Sequence, residues 1–314
     1  MTVAVASGYP QHSGTFIPEI WDQSLLIQYY AQLVMAQITM TEHTEKIKNV
    51  GDTVNVRTRP TFTWHPYTKG MDMFPDNPEA PVVQMTIDRA GYFYYKVDNI
   101  DKYQSDINMM DDWAEGAVQD SKIAIETEYF ADIYADAHAS NIGLTAGAKT
   151  GAINLGTTGS PITLTKQNVL EKIIACGVVL SEQNVPDDRM RYGVMPPYAL
   201  GLVALSDIKD ASLSGDGQST IRTGAGRVGR VGNFEIYETN LLAQVTDGTD
   251  TCYNLMFGHK KAVAFVIQNI ELVYFEKLER TSGQANRCLQ AYDWKAFRPE
   301  SLSVLYAKFA ANEM

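Results

Sequence analysis

The chain has 314 residues, 45% of them hydrophobic, and its 26 Lys and Arg against 37 Asp and Glu leave a net charge of −11. That apolar content suffices for a sizeable core and argues against disorder, and no apolar run approaches the roughly 18 residues that span a bilayer. The acidic balance favours solubility and argues against chain-wide attraction to nucleic acid, which needs clustered Lys and Arg.

Met1 to Gly14 lacks a basic flank, so it is a poor secretory signal and reads as a flexible arm of small and polar residues. Phe16, Ile17 and Pro18 then lead into a helix predicted over Glu19 to Thr39, with Pro18 suited to a helix start and Glu19 to the first turn. Trp21, Leu25, Tyr29, Leu33 and Ala36 share its apolar face.

Gly51 to Asp101 contains more backbone than a compact domain needs. Alternation predicts a strand over Thr53 to Thr58, continuing through Phe62 and Trp64, and a returning strand from Val82 to Val97. Between them lies a turn-rich tip with Pro66, Lys69, Gly70, Pro75, Pro78 and Pro81. A lone hairpin is marginal in water, so this one implies a partner surface, expected to be another copy of the chain. Tyr92, Phe93, Tyr94 and Tyr95 are consecutive, so a strand there carries rings on both faces. One face can pack on the parent body and the other needs cover, as at an interface, unless the rings fill a satellite core of the same domain.

The longest predicted element is a helix over Gln104 to Ala139, with Ile107, Met110, Trp113, Ala117, Ile125, Tyr129, Ile133 and Ala137 near one stripe. Asp111, Asp112, Glu115, Asp120, Glu126, Glu128, Asp132 and Asp136 are expected mostly to face water. Residues 140 to 164 read as loop, with a short hairpin around Ile153 and Ile162. Thr165 is placed as the cap of a helix running to about Gln183, with Val169, Ile173, Cys176, Val179 and Leu180 inward. A short strand at Arg191 to Met195, a helix opened by Pro196 and Pro197, and a polar glycine-rich loop over Asp207 to Arg230 follow. Strands are predicted around Phe234 to Tyr237 and Tyr253 to Phe257, then a short helix or turn from His259 to Val266. A long antiparallel pair is predicted over Ile270 to Glu279 and Arg287 to Phe297, and a last strand over Ser303 to Ala310. Helices do not alternate strictly with strands, so the class is α+β.

No chemical motif supports an active site. Gly224, Gly226 and Gly229 match a G-x-G-x-x-G string, but a dinucleotide site needs a strand before and a helix after it, and here the order is polar loop and then strand. His12, His43, His65, His138 and His259 are not spaced as metal pairs. His138 with Asp132 or Asp136 reads as a surface contact. Cys176, Cys252 and Cys288 form neither a disulfide framework nor a zinc pattern, and they suit a reducing interior. The sequence therefore implies no enzyme, no cofactor and no metal; the remaining enzymatic alternative is nucleotide binding at 224–229.

Several segments, in order and spacing, resemble tailed-bacteriophage major capsid proteins of the Hong Kong 97-type fold. They are Phe16 to Trp21, Ile47 to Val56, Tyr67 to Gly70, Val97 to Asp101 with Gln104, Met256 to Ala262, and Ala291 to Lys295. The resemblance implies an N-terminal arm (1–18), a first helix of the peripheral domain (19–50) and an extended hairpin, the E-loop (51–100). It further implies a peripheral domain with a spine helix (101–190), an axial domain (191–268) and peripheral return strands (269–314). It makes the expected function self-assembly, as hexamers and pentamers, into an icosahedral head enclosing double-stranded DNA without sequence-specific contact. Inter-subunit contacts are expected at Phe62, Trp64, Tyr67, Lys69, Gly70, Tyr92 and Tyr94 of the hairpin and at Tyr9 and Phe16 of the arm. Implied partners are other copies of the chain, a separate scaffolding protein, a portal protein at one vertex and packaged DNA, with room for decoration proteins and no membrane. The implied place is the virion, assembled in the host bacterial cytoplasm. Lys69 lies where some relatives carry a crosslinking lysine. An encapsulin-type compartment of the same fold, enclosing enzymes, is the alternative.

Overall fold

A computed structural model describes residues 30–42, 53–57, 59–60, 62–79, 81–104, 109–206, 230–278 and 281–310. Tyr9, Phe16, most of the expected first helix and the 224–229 glycine string lie outside these residues.

Among the described residues are five α-helices: α1 (Met35–Ile38), α2 (Asn99–Gln104), α3 (Met109–Asp132), α4 (Val169–Glu182) and α5 (Pro197–Leu205). The strands are β1 (Thr53–Arg57), β2 (Val82–Thr86), β3 (Arg89–Asp98), β4 (Ile162–Leu164), β5 (Arg191–Met195) and β6 (Arg230–Val231). They continue as β7 (Phe234–Glu238), β8 (Gln244–Asp247), β9 (Asp250–His259), β10 (Val263–Phe275), β11 (Gly283–Ala296) and β12 (Leu302–Phe309). The class is α+β.

The central sheet has the order β4-β12-β9-β5-β7-β6, with β8 sharing an edge of β9 with β5. It joins β4 and β12 to strands of the 191–268 range. β5 is buried at every residue, Arg191 included. Helix α4 turns Val169, Ile173, Cys176, Val179 and Leu180 into the core, as its spacing predicts. One contiguous core takes in these residues, the end of α3 and α1.

The second sheet, β10-β11-β3, is antiparallel and long, with a bulge between Asn269 and Glu271. Helix α3 packs on it through β3: the Tyr95 hydroxyl donates to the Met110 carbonyl at 3.0 Å, and the Tyr95 and Trp113 rings meet edge to face at 6.1 Å. At 1.5 Å per residue α3 is about 36 Å long. The third sheet is the β1-β2 ribbon alone.

Several expectations need correction. Residues 30–34 are not helical, so the described part of the first helix is the single turn Met35–Ile38. The spine helix stops at Asp132 and passes into a 3₁₀ turn, Ile133–Asp136, rather than running to Ala139. Ala137 is extended and His138 caps the next turn, its Nδ1 accepting from the Ser140 N–H at 3.2 Å. The returning strand breaks at Ile87 and Asp88: β2 pairs with β1, whereas β3 leaves the ribbon to pair with β11. Regular helix α4 starts at Val169, later than the expected cap, but Thr165 does cap the turn that leads into it: its Oγ1 accepts from the Asn168 N–H at 3.4 Å, its N–H donates to Asn168 Oδ1 at 2.8 Å and its carbonyl accepts from the Val169 N–H at 3.1 Å. Within 140–164 Ile153 bridges Ala146 antiparallel and Thr157 bridges Ser160, but Ile162 belongs to β4, which joins β12 in parallel instead of a hairpin with Ile153. Of the helix or turn expected from His259, the structure has the turn, and it is shorter than expected because β10 begins at Val263. Glu126, expected at the surface, is buried.

Candidate inter-subunit surface

The hairpin root is a five-residue antiparallel ladder from Thr53↔Thr86 to Arg57↔Val82. Beyond it, Pro60, Pro66, Pro75, Pro78 and Pro81 lack backbone donors, and described residues 59–81 run without a ladder. The tip turns at Lys69 and Gly70, where the Met71 N–H reaches the Thr68 carbonyl at 3.0 Å. Gly70 sits at φ 90°, a region in which a side chain is strained. Across the tip His65 Nε2 lies 3.2 Å from Asp76 Oδ1.

The root is anchored by a small satellite core of Met85 and Val266 with Val56, Ile87 and Phe297 around it. Past that anchor the apolar residues are uncovered. Phe62, Trp64, Tyr67, Met71, Met73 and Phe74 are all exposed, Trp64 at 94%. Lys69 is exposed as well. Six large apolar side chains exposed within thirteen residues make this segment the candidate interaction surface.

The aromatic run on β3 divides between two faces. Phe93 and Tyr95 stack on each other at 6.4 Å between centroids and point to the α3 side. Tyr92 and Tyr94 point away and are exposed, Tyr92 at 77%. Tyr92 and Tyr94 therefore do not lie in a satellite core. At the opposite edge of that sheet Leu272 and Tyr274 are exposed too, a feature that the sequence reading passed over.

Two polar constructions tie the projecting parts to the body, and neither was singled out from sequence. The Arg89 guanidinium lies 3.9 Å from the Trp294 ring centre and pairs with Asp132 at the end of α3 and with Asp293 at 3.6 Å. This clamp holds the start of β3 on the spine helix. Glu126, 3% exposed, accepts the Val34 N–H at 2.8 and 3.0 Å and the Met35 N–H at 3.1 Å. It supplies acceptors for the first N–H groups of α1, which have no intrahelical partner. Burial pushes the Glu126 carboxyl above its ordinary value, against the pull of these bonds. Glu126 stands next to Ile125 and three residues before Tyr129 of the apolar stripe, which is the one sign of its burial in the sequence.

The described residues contain no cluster of His, Cys, Asp and Glu able to hold a metal, and no helix among them is long and apolar enough to cross a membrane.

No protein-family model matches the sequence, and no curated protein matches it. Solved structures match over nearly the whole chain. Mycobacterium phage Che8 gives a TM-score of 0.72 at 22% identity, covering 95% of this chain and 97% of that one. The capsid of the cyanophage P-SCSP1u gives 0.64 at 12%, with 94% of each chain covered. The fold is that of phage capsid chains. The capsid of Ralstonia phage GP4 agrees, at a TM-score of 0.62, 12% identity and 98% coverage of both. In this capsid fold, β1 and β2 form the projecting hairpin, α3 the long helix and β10-β11-β3 the sheet beneath it.

Proposed function

We propose that this chain is the major capsid protein of a tailed bacteriophage, assembling as hexamers and pentamers into an icosahedral head around double-stranded DNA. The observation that carries this reading is the projecting hairpin, whose exposed Phe62, Trp64, Tyr67, Met73 and Phe74 have no apolar cover of their own, on a body of capsid fold. Burying such residues against a neighbour gives roughly 25 cal/mol per Å², and a closed shell multiplies each modest contact.

In this reading the hairpin, with Lys69 and Gly70 at its tip, lies across a neighbouring copy. Tyr92 and Tyr94 offer a matching apolar face, and the arm with Tyr9 and Phe16 clips a further subunit. Ranges 101–190 and 269–314 make the peripheral domain and 191–268 the axial one. The protein is structural rather than enzymatic, and its place is the virion, after assembly in the bacterial cytoplasm. A separate scaffolding protein and a portal at one vertex complete the head, and the net charge of −11 leaves packaged DNA mobile within it.

Deleting residues 67–81 tests the reading. Electron microscopy is expected to show shells from the wild-type chain, and none from the deletion variant, which stays folded by circular dichroism. Shells of normal size from the variant would refute the hairpin's role.

A further inference from the structure

The root of the hairpin carries a charge arrangement opposite to that of the whole chain. A cleft of about 510 Å³ opens there between the ribbon and the body. Two of its cations, Arg57 and Arg59, come from the ribbon side, and two, Lys261 and Arg298, from the turns flanking β10 and β11. Its floor is apolar, with Met40 and Phe297. Among the described residues none of the four cations has a carboxylate within ion-pair distance, and all four are exposed. Four like charges around one cleft repel, and they oppose closure of the ribbon on the body until an anion sits among them.

The chain itself offers the complementary surface. The exposed side of α3 carries Asp112, Glu115 and Asp120, none of them in an ion pair among the described residues, against one exposed cation, Lys122. Within one molecule α3 packs chiefly on β3 and β11. We infer that the cationic cleft at the hairpin root receives the acidic first turns of α3 from a second copy of this chain. This rests on the reading that the hairpin lies across a neighbour, and it adds what sets the ribbon's angle there. A basic cleft meeting an acidic helix is a heterologous contact, head to tail, of the kind that closes rings. Charge complementarity of this sort fixes register and orientation. Phosphate of nucleic acid is the competing occupant.

The test is a charge swap in the full-length chain. Arg59→Glu with Arg298→Glu is expected to lower shell yield by about tenfold or more at about 0.15 M salt, with the melting temperature of the subunit unchanged. Adding Asp112→Lys and Glu115→Lys to that variant reverses both surfaces and is expected to restore shells. Normal shells from the first variant overturn the inference while leaving the shell reading intact. Failure of the second pair to rescue overturns α3 as the occupant. A duplex of about 20 base pairs that binds the wild-type chain, and not the first variant, identifies phosphate instead and also overturns it. A wild-type chain that forms no shell removes the shell reading and this inference together.

Discussion

Replacing Glu126 by Leu should detach the described N-terminal segment from the spine helix without unmaking the body. The substitution removes three hydrogen bonds, of 2.8, 3.0 and 3.1 Å, and leaves the N–H groups of Val34 and Met35 buried without acceptors. Each orphaned donor costs about 1–3 kcal/mol, so the loss is about 2–6 kcal/mol before relief from burying a charge. We expect about 3 kcal/mol net, read as a lower denaturant midpoint and as amide exchange at Val34 and Met35 faster by about 100-fold. Glu126→Gln should fall between, because its amide keeps one acceptor oxygen. The pH dependence has a definite sign. Burial raises the folded-state value of Glu126, so its favourable contribution is complete below the ordinary carboxylate value and declines as pH rises through the raised one. The Gln variant should lack that decline. Equal exchange rates in wild type and the Leu variant, or identical pH slopes in wild type and the Gln variant, would refute the latch.

Three further outcomes can be checked on the same protein. Arg191 is buried and donates to the Gly177, Val185 and Pro186 carbonyls and to Ser181 Oγ, closing the end of α4 with no ion pair among the described residues; Arg191→Met should lower stability by about 3 kcal/mol in a denaturant titration. Trp113 is 43% exposed, so Trp113→Ala should cost less than the roughly 3–5 kcal/mol of a fully buried ring, and a thermal melt would show it. The pair Tyr92→Ser and Tyr94→Ser should leave that melt unchanged, since both rings face solvent, while reducing shell yield in electron micrographs.

Much of the architecture was legible because it is periodic. The alternation in Thr53 to Arg57 and Val82 to Thr86 marks the ribbon, and the long pair expected over Ile270 to Glu279 and Arg287 to Phe297 is β10 with β11. Breaks were less legible, since they depend on distant partners. Asp88 is a lone turn-type residue with no Gly or Pro beside it, a weak signal, and the strand leaves the ribbon there because β11 offers β3 a ten-residue ladder. The end of α3 at Asp132 likewise follows from its tertiary surroundings, with Arg89 drawn to Asp132 and Asp293. Exposure at the candidate surface was readable from the prolines and the consecutive rings. Glu126 and the cationic cleft were not, since each is assembled from segments far apart in the chain.

The position of β12 bears on synthesis. Residues 302–309 lie between β4 and β9, inside the central sheet rather than at its margin. While the ribosome has yet to make them, a nascent polypeptide presents β9 with one flank bare, a template for mispairing. Fragments terminated upstream would lack the strand that joins β4 to β9, and so a finished core.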